Sequence, residues 1–215
     1  SRVAYWNGTA WTPLATGLNN SVMTLKFAPD GRLLIGGGFI NADGVNGDYI
    51  CWWDGSAFKS FTSLGAIELN KNVDSIDINP NGTIIIGGEF TNAGGDADAD
   101  YVAAWRGNNW GSLMAGGVNG LVYEVYCADN GDIYLSGYFS QAGNLILADR
   151  IVKSVQGAYQ PLDVGLPGTA AIHAIYIDSD GSLYICGAFS TTAEDPDENA
   201  VSGVVALNLN VSSGS

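Results

Sequence analysis

Basic residues are scarce in this chain. Eight Lys and Arg stand against 22 Asp and Glu, for a formal net charge of −14. Nucleic-acid partners need clustered cations, so nucleic acid is excluded, and an anionic membrane surface is disfavoured for the same reason. Cysteine is sparse as well. Cys51, Cys127 and Cys186 form an odd, low count that is no disulfide framework, and no Cys-x-x-Cys spacing offers a zinc site. They read as small thiols in apolar patterns, with one disulfide left open. Histidine occurs once, at His173, with no Ser or Cys constellation around it for a general base to serve. No Gly-x-Ser-x-Gly, no phosphate-cradling loop and no dinucleotide fingerprint is present, so the chain is expected not to be an enzyme. Carboxylates paired in space rather than in sequence are the one chemistry this leaves open. No apolar run approaches the ~20 residues of a membrane helix, so no membrane insertion is expected. Residue 1 is not Met and no leader pattern is present; a processed mature chain and a cut piece both fit, and a removed leader would fit secretion.

What the chain has in abundance is glycine, 30 residues, together with 47% hydrophobic and 11% aromatic residues. That composition belongs to a folded chain with many turns. The turns are periodic. VMTLKFAPDGRLLIGGGF (22–39) returns as VDSIDINPNGTIIIGGEF (73–90), VYEVYCADNGDIYLSGYF (122–139) and IHAIYIDSDGSLYICGAF (172–189). The turn glycines Gly31, Gly82, Gly131 and Gly181 are spaced by 51, 49 and 50 residues, and Phe39, Phe90, Phe139 and Phe189 keep the same intervals. A second motif precedes each of these. It reads VAYWNGTAWTPL (3–14), ICWWDGSAFKSF (50–61), VAAWRGNNWGSL (102–113) and IVKSVQGAYQPL (151–162). Asp-Gly or Asn-Gly between apolar runs is the strongest short-range hairpin signal. Each repeat is therefore two hairpins, or four strands, and no window sustains a helical period. Four-stranded units at a period of 40–50 residues predict an all-β, propeller-like array of blades that are stable only when stacked. The repeats run approximately 1–49, 50–101, 102–150 and 151–203, in a single domain spanning 1–215.

These motifs resemble a known repeat: Trp-x-Gly-x-x-Trp, a Gly-Leu or Gly-Val loop, an apolar strand, Asp/Asn-Gly, and a Gly-Gly-x-Phe ending. Trp6-Asn7-Gly8-Thr9-Ala10-Trp11 with Gly37-Gly38-Phe39, and Trp105-Arg106-Gly107-Asn108-Asn109-Trp110, carry it best. The pattern is similar to the kelch-like repeat of the Rax2-type cortical marker family, found also in bacterial and phage surface proteins. The fourth repeat departs most, with Val155 and Tyr159 in place of the two Trp. The resemblance implies a propeller on an exposed surface, used for structure or recognition, and it transfers no catalytic residue.

The first-strand motif occurs a fifth time, as VVALNLN (204–210), beyond the four repeats. Three explanations stand: a longer propeller cut short, an unpaired or locally paired extension, or a strand that adds to a neighbouring copy. An edge strand is a template for another chain, and a contact that does not close on itself makes a filament. The expected role is thus structural and extracellular or surface-exposed. The partner is a second copy of the chain, met through Val3, Ala4, Tyr5 and Trp6 and through Val204, Val205, Ala206 and Leu207. The alternative is a recognition module, an adhesin or lectin-like or phage receptor-binding domain, with a carbohydrate or protein ligand. No cofactor is expected. Ca²⁺ at Asp96, Asp98 and Asp100, spaced alternately in a loop, competes with a reading of that loop as merely solvated. Glu194-Asp195-Pro196-Asp197-Glu198 is weighed the same way, and Asp43 and Asp48 occupy the equivalent loop of the first repeat. Trp6, Trp11, Trp52, Trp53, Trp105 and Trp110 are expected in the blade cores, because five of the six recur with the repeat.

Overall fold

The computed structural model describes residues 2–145, 148, 150–155, 157–162, 171–178, 181–190 and 202–208. The chain opens with a hairpin of β1 (Ala4–Trp6) and β2 (Trp11–Pro13). Asn7 turns it by accepting from the backbone N–H groups of Thr9 and Ala10, both at 2.9 Å. Blade I follows: β3 (Val22–Phe27), β4 (Leu33–Gly37), β7 (Ile50–Trp53) and β8 (Phe58–Ser60), with a small hairpin of β5 (Asn41–Ala42) and β6 (Val45–Asn46) in its connecting loop. Blade II holds β9 (Val73–Ile78), β10 (Ile84–Gly88), β11 (Val102–Trp105) and β12 (Trp110–Gly111). Blade III holds β13 (Leu121–Cys127), β14 (Ile133–Tyr138), β15 (Ile151–Val155) and β16 (Ala158–Pro161). Blade IV holds β17 (Ala171–Ile177), β18 (Ser182–Ser190) and β19 (Ser202–Asn208). All pairings within these sheets are antiparallel.

Sequence repeat and blade are offset by half a period. Each blade joins the Asp/Asn-Gly hairpin of one repeat to the Trp hairpin of the next: Gly36 pairs with Ile50, Gly87 with Val102 and Ser136 with Ile151. The fifth first-strand copy is therefore not surplus to the sheets. Val204 pairs with Cys186 and Leu207 with Leu183, which makes β19 the third strand of blade IV. The hairpin of β1 and β2 is the complementary half, a third and fourth strand whose sheet has no first or second strand among the described residues.

The blades stack in chain order, with inner strands β3, β9, β13 and β17 side by side. Alternation along each second strand splits its side chains between two interfaces. Leu34 faces blade II, in a cluster with Val73, Ile76, Ile84 and Ile86; Ile85 faces blade III, with Val122, Val125, Ile133 and Leu135. Tyr134 packs with Ile172, Ile175, Leu183 and Ile185 of blade IV. Glycine at the end of the second strand is a packing requirement. A Cβ on Gly88 would lie 2.2 Å from the Asn72 carbonyl oxygen, and one on Gly137 2.0 Å from that of Leu121. Phe39, Phe90 and Phe139 are buried beside them.

Two interblade hydrogen bonds span one period. Ser75 Oγ accepts from the Val125 N–H at 3.0 Å, and Asp77 Oδ2 accepts from the Cys127 N–H at 2.7 Å. Lys26 of blade I forms an ion pair with the same Asp77. The inner-strand edges of blades II and III are thereby tied by side chains instead of a backbone ladder.

Candidate functional site

The loops joining second to third strands gather at one end of the array, and most of their polar side chains are spent on architecture. Asn19, Asn70 and Asn119 recur once per repeat. Asn119 Oδ1 accepts from the N–H groups of Ser140 and Gln141, both at 2.9 Å, while its Nδ2 donates to Ser140 Oγ at 3.1 Å. Asn19 accepts from Ile40 and Asn41, and Asn70 from Thr91. Each clamps the loop that follows its blade's second strand. Their recurrence is visible in the sequence, but nothing local announces their role. The residue before each third strand adopts a left-handed φ: +67° at Tyr49, +62° at Tyr101 and +67° at Arg150. Tyr49 and Tyr101 donate to the carbonyls of Phe39 and Phe90, and all three accept from the second-strand glycine. Strain of this kind, repeated at one place in each blade, is part of the scaffold.

The acidic residues are distributed in the same way. Asp96 Oδ1 accepts from the Asp98 N–H at 3.0 Å and its Oδ2 from the Ser112 N–H at 2.8 Å; these backbone hydrogen bonds hold its carboxyl below the usual range. Asp100 Oδ1 accepts from the Asn92 N–H at 2.7 Å. Among the described residues no three of Asp, Glu, His and Cys gather as metal ligands, so Asp96, Asp98 and Asp100 are not brought together as a calcium cage. Asp43 Oδ1 accepts from Thr16 Oγ1 and pins the exit of the first hairpin. Asp48 is buried, and desolvation together with Glu68 raises its pKa to about 6. The run 194–198 lies outside the described residues.

One column of side chains at this end is free of such duties. A bulge sits at the same place in every inner strand, between Val22 and Thr24, Val73 and Ser75, Val122 and Glu124, and Ile172 and Ala174. It turns Met23, Asp74, Tyr123 and His173 out of the ladder. The Tyr123 and His173 rings stack at 5.0 Å and 21°. The Arg150 guanidinium lies 4.4 Å from the Tyr138 ring centroid, beside a shallow pocket of about 220 Å³. Desolvation, then Glu89, raises Asp74 to about 6. Cys51, Cys127 and Cys186 are free thiols, with burial pushing Cys51 up to about 12.

The second candidate is the start of the array. Trp52 and Trp110 are buried as expected and Trp53 and Trp105 half-buried, but Trp6 and Trp11 are exposed. They form a tilted cross-strand pair, centroids 5.6 Å apart, where Trp105 and Trp110 meet edge-on at 5.1 Å, and no sheet covers their face among the described residues. Inner-strand positions show the contrast in numbers. Ile76, Val125 and Ile175 are 4%, 1% and 7% exposed, whereas Leu25 in the same position is 51% exposed and Phe27 is 70%. Val3, Leu14 and Leu18 cover only the outer part of this face, in a cluster with Ile35, Phe39, Cys51 and Phe58. Between the first hairpin and β3 an apolar groove of about 500 Å³ remains, lined by Ala4, Tyr5, Leu25, Phe27, Leu33 and Trp53 among others. Val3, Ala4 and Tyr5 thus line this groove, Trp6 follows them at the end of β1, and Val204, Val205, Ala206 and Leu207 are in the ladder of blade IV.

A family model described as a domain of unknown function (DUF5122) beta-propeller matches residues 28–51 and 79–99. No curated protein matches. Among solved structures, the chain is similar to the extracellular domain of a hybrid two-component system from B. thetaiotaomicron. Identity is 13% and the TM-score 0.59, over 95% of this chain and 26% of that one. It is also similar to YCF48 bound to D1 peptide, at 10% identity and a TM-score of 0.53, over 94% of this chain and 55% of that one. The chain therefore spans about a quarter and about half the length of those two structures. At such identities the likeness is one of fold, and the fold is a β-propeller array of blades.

Proposed function

We propose that this is a non-enzymatic structural propeller domain, extracellular or surface-exposed, that associates with further copies of itself by β-strand addition at the ends of the array. The observation that carries the reading is the uncovered apolar face of blade I, Leu25 and Phe27, beside a half-blade with no inner strands among the described residues. Exposed apolar patches of this kind mark interaction surfaces. The Rax2-like character of the repeat, and the extracellular domain among the similar folds, support the exposed placement. Among the described residues no helix is long and apolar enough to cross a membrane.

The test is sedimentation velocity with negative-stain electron microscopy at physiological salt. Concentration-dependent assemblies are expected, and Leu25→Asp with Phe27→Asp should reduce them. A monomer at every concentration would sink the reading. The bulge column favours a second one, recognition of a carbohydrate or protein ligand over Tyr123, His173 and Tyr138. In that case the monomer gains thermal stability from its ligand, and Tyr123→Ala abolishes the gain.

A further inference from the structure

We infer that the groove beside β3 receives the β17–β18 hairpin of a second copy, with β1 taking the edge of β18 that β19 holds within its own chain. This rests on the self-association proposed above and names its joint. Two facts specify the occupant.

The first is register. Gly36, Ile35, Leu34 and Leu33 of β4 pair with Ile50, Cys51, Trp52 and Trp53. Cys186, Ile185, Tyr184 and Leu183 of β18 pair in the same way with Val204, Val205, Ala206 and Leu207. Val3, Ala4, Tyr5 and Trp6 are the equivalent stretch of the first repeat, so β1 and β19 fit one edge in one register.

The second is the face. Across the joint between blades III and IV, Tyr126 and Tyr134 pack in one cluster with Ile175 and Ile177. Their rings meet at 6.3 Å. One period on, Tyr176 and Tyr184 keep the same 6.3 Å separation on the far face of blade IV, where Tyr176 is 61% exposed. Leu25 and Phe27 are the counterparts of Ile175 and Ile177. Blade IV of one copy against blade I of the next thus repeats a joint the chain already makes.

The joint places residue 3 of one copy opposite Cys186 of another. Cα atoms across an antiparallel pair lie about 4.5–5.5 Å apart, inside the span a disulfide bridges. The experiment is mild oxidation of the full-length Val3→Cys variant followed by non-reducing electrophoresis, beside sedimentation of the wild-type chain. A covalent ladder of dimers and trimers is expected, steeper at higher protein concentration and absent from Val3→Cys combined with Cys186→Ala. A cross-linked monomer whose yield ignores concentration would mean that β1 closes on its own chain, and would overturn the second copy as occupant. No cross-link in a wild-type chain that assembles would overturn this joint and leave self-association standing. A wild-type chain that does not assemble removes both.

Discussion

Glu124 is the residue whose chemistry bears most on the joint between blades II and III. It follows the bulge at Tyr123 and faces Ser75 and Asp77, the two side chains that hold β13, with Lys26 across the Asp77 ion pair. Desolvation, then Asp77, raises its pKa from 4.5 to about 7. A folded-state pKa above the unfolded value means that its contribution is fully present below about pH 4.5 and is lost as pH rises through about 7. Glu124→Gln is therefore expected to stabilise the chain at pH 8 by about 1–3 kcal/mol and to change little at pH 4.5, read from urea unfolding at both pH values. An equal shift at both would assign the effect to packing. Residue identity alone does not announce this site, because Glu124, Thr24 and Ala174 share one repeat position with Ser75 and only the stacking of blades places Asp77 beside it. Trp6 and Trp11 teach the same lesson. Their motif is that of Trp105 and Trp110, and what decides their burial is their place in the array. The alternating carboxylates of Asp96, Asp98 and Asp100 suggested a cation, yet in the fold Asp96 and Asp100 bind backbone N–H groups.

At the level of strands and turns the sequence is highly legible. Turn glycines, closing phenylalanines and the Trp-x-Gly-x-x-Trp hairpins each define a local unit, and every such hairpin forms between the residues that signal it. What local signals leave out is which hairpin joins which. The partner of β4 is β7, through a loop of variable length, and this is a long-range choice made by the clamps at Asn19, Asn70 and Asn119 and the left-handed residues at Tyr49, Tyr101 and Arg150. The glycine that ends the second strand is set by the same close approach. Gly137→Ala is expected to cost about 1–3 kcal/mol or more, because the obstacle is the Leu121 carbonyl rather than a flexible side chain. Gly111→Ala, whose nearest neighbour would lie at 3.6 Å, serves as the near-neutral control. Chemical denaturation of the two variants checks this, and similar losses in both would refute it.

For the whole molecule, charge opposes association. Each copy carries a formal −14, so an end-to-end joint brings like-charged bodies together. The faces proposed to meet are apolar and aromatic, and the repulsion is long-range. Salt should therefore promote assembly, with most of the gain between about 0.02 and 0.2 M, where the screening length falls to roughly 10 Å or less. Sedimentation velocity across that range is the measurement. Assemblies that dissolve as salt is added would point instead to a joint made of ion pairs.

The half-period offset between repeat and blade also bears on how such an array is inherited. A stretch of about fifty residues, excised or duplicated from any starting point, carries one complement of four strands even when it begins in the middle of a sheet. The neighbours on either side then find the same edge and the same face as before. Unequal recombination between repeats can thus lengthen or shorten the gene at arbitrary breakpoints without leaving a broken blade inside. The sheets on either side of a breakpoint keep their shape whatever the number of repeats between them.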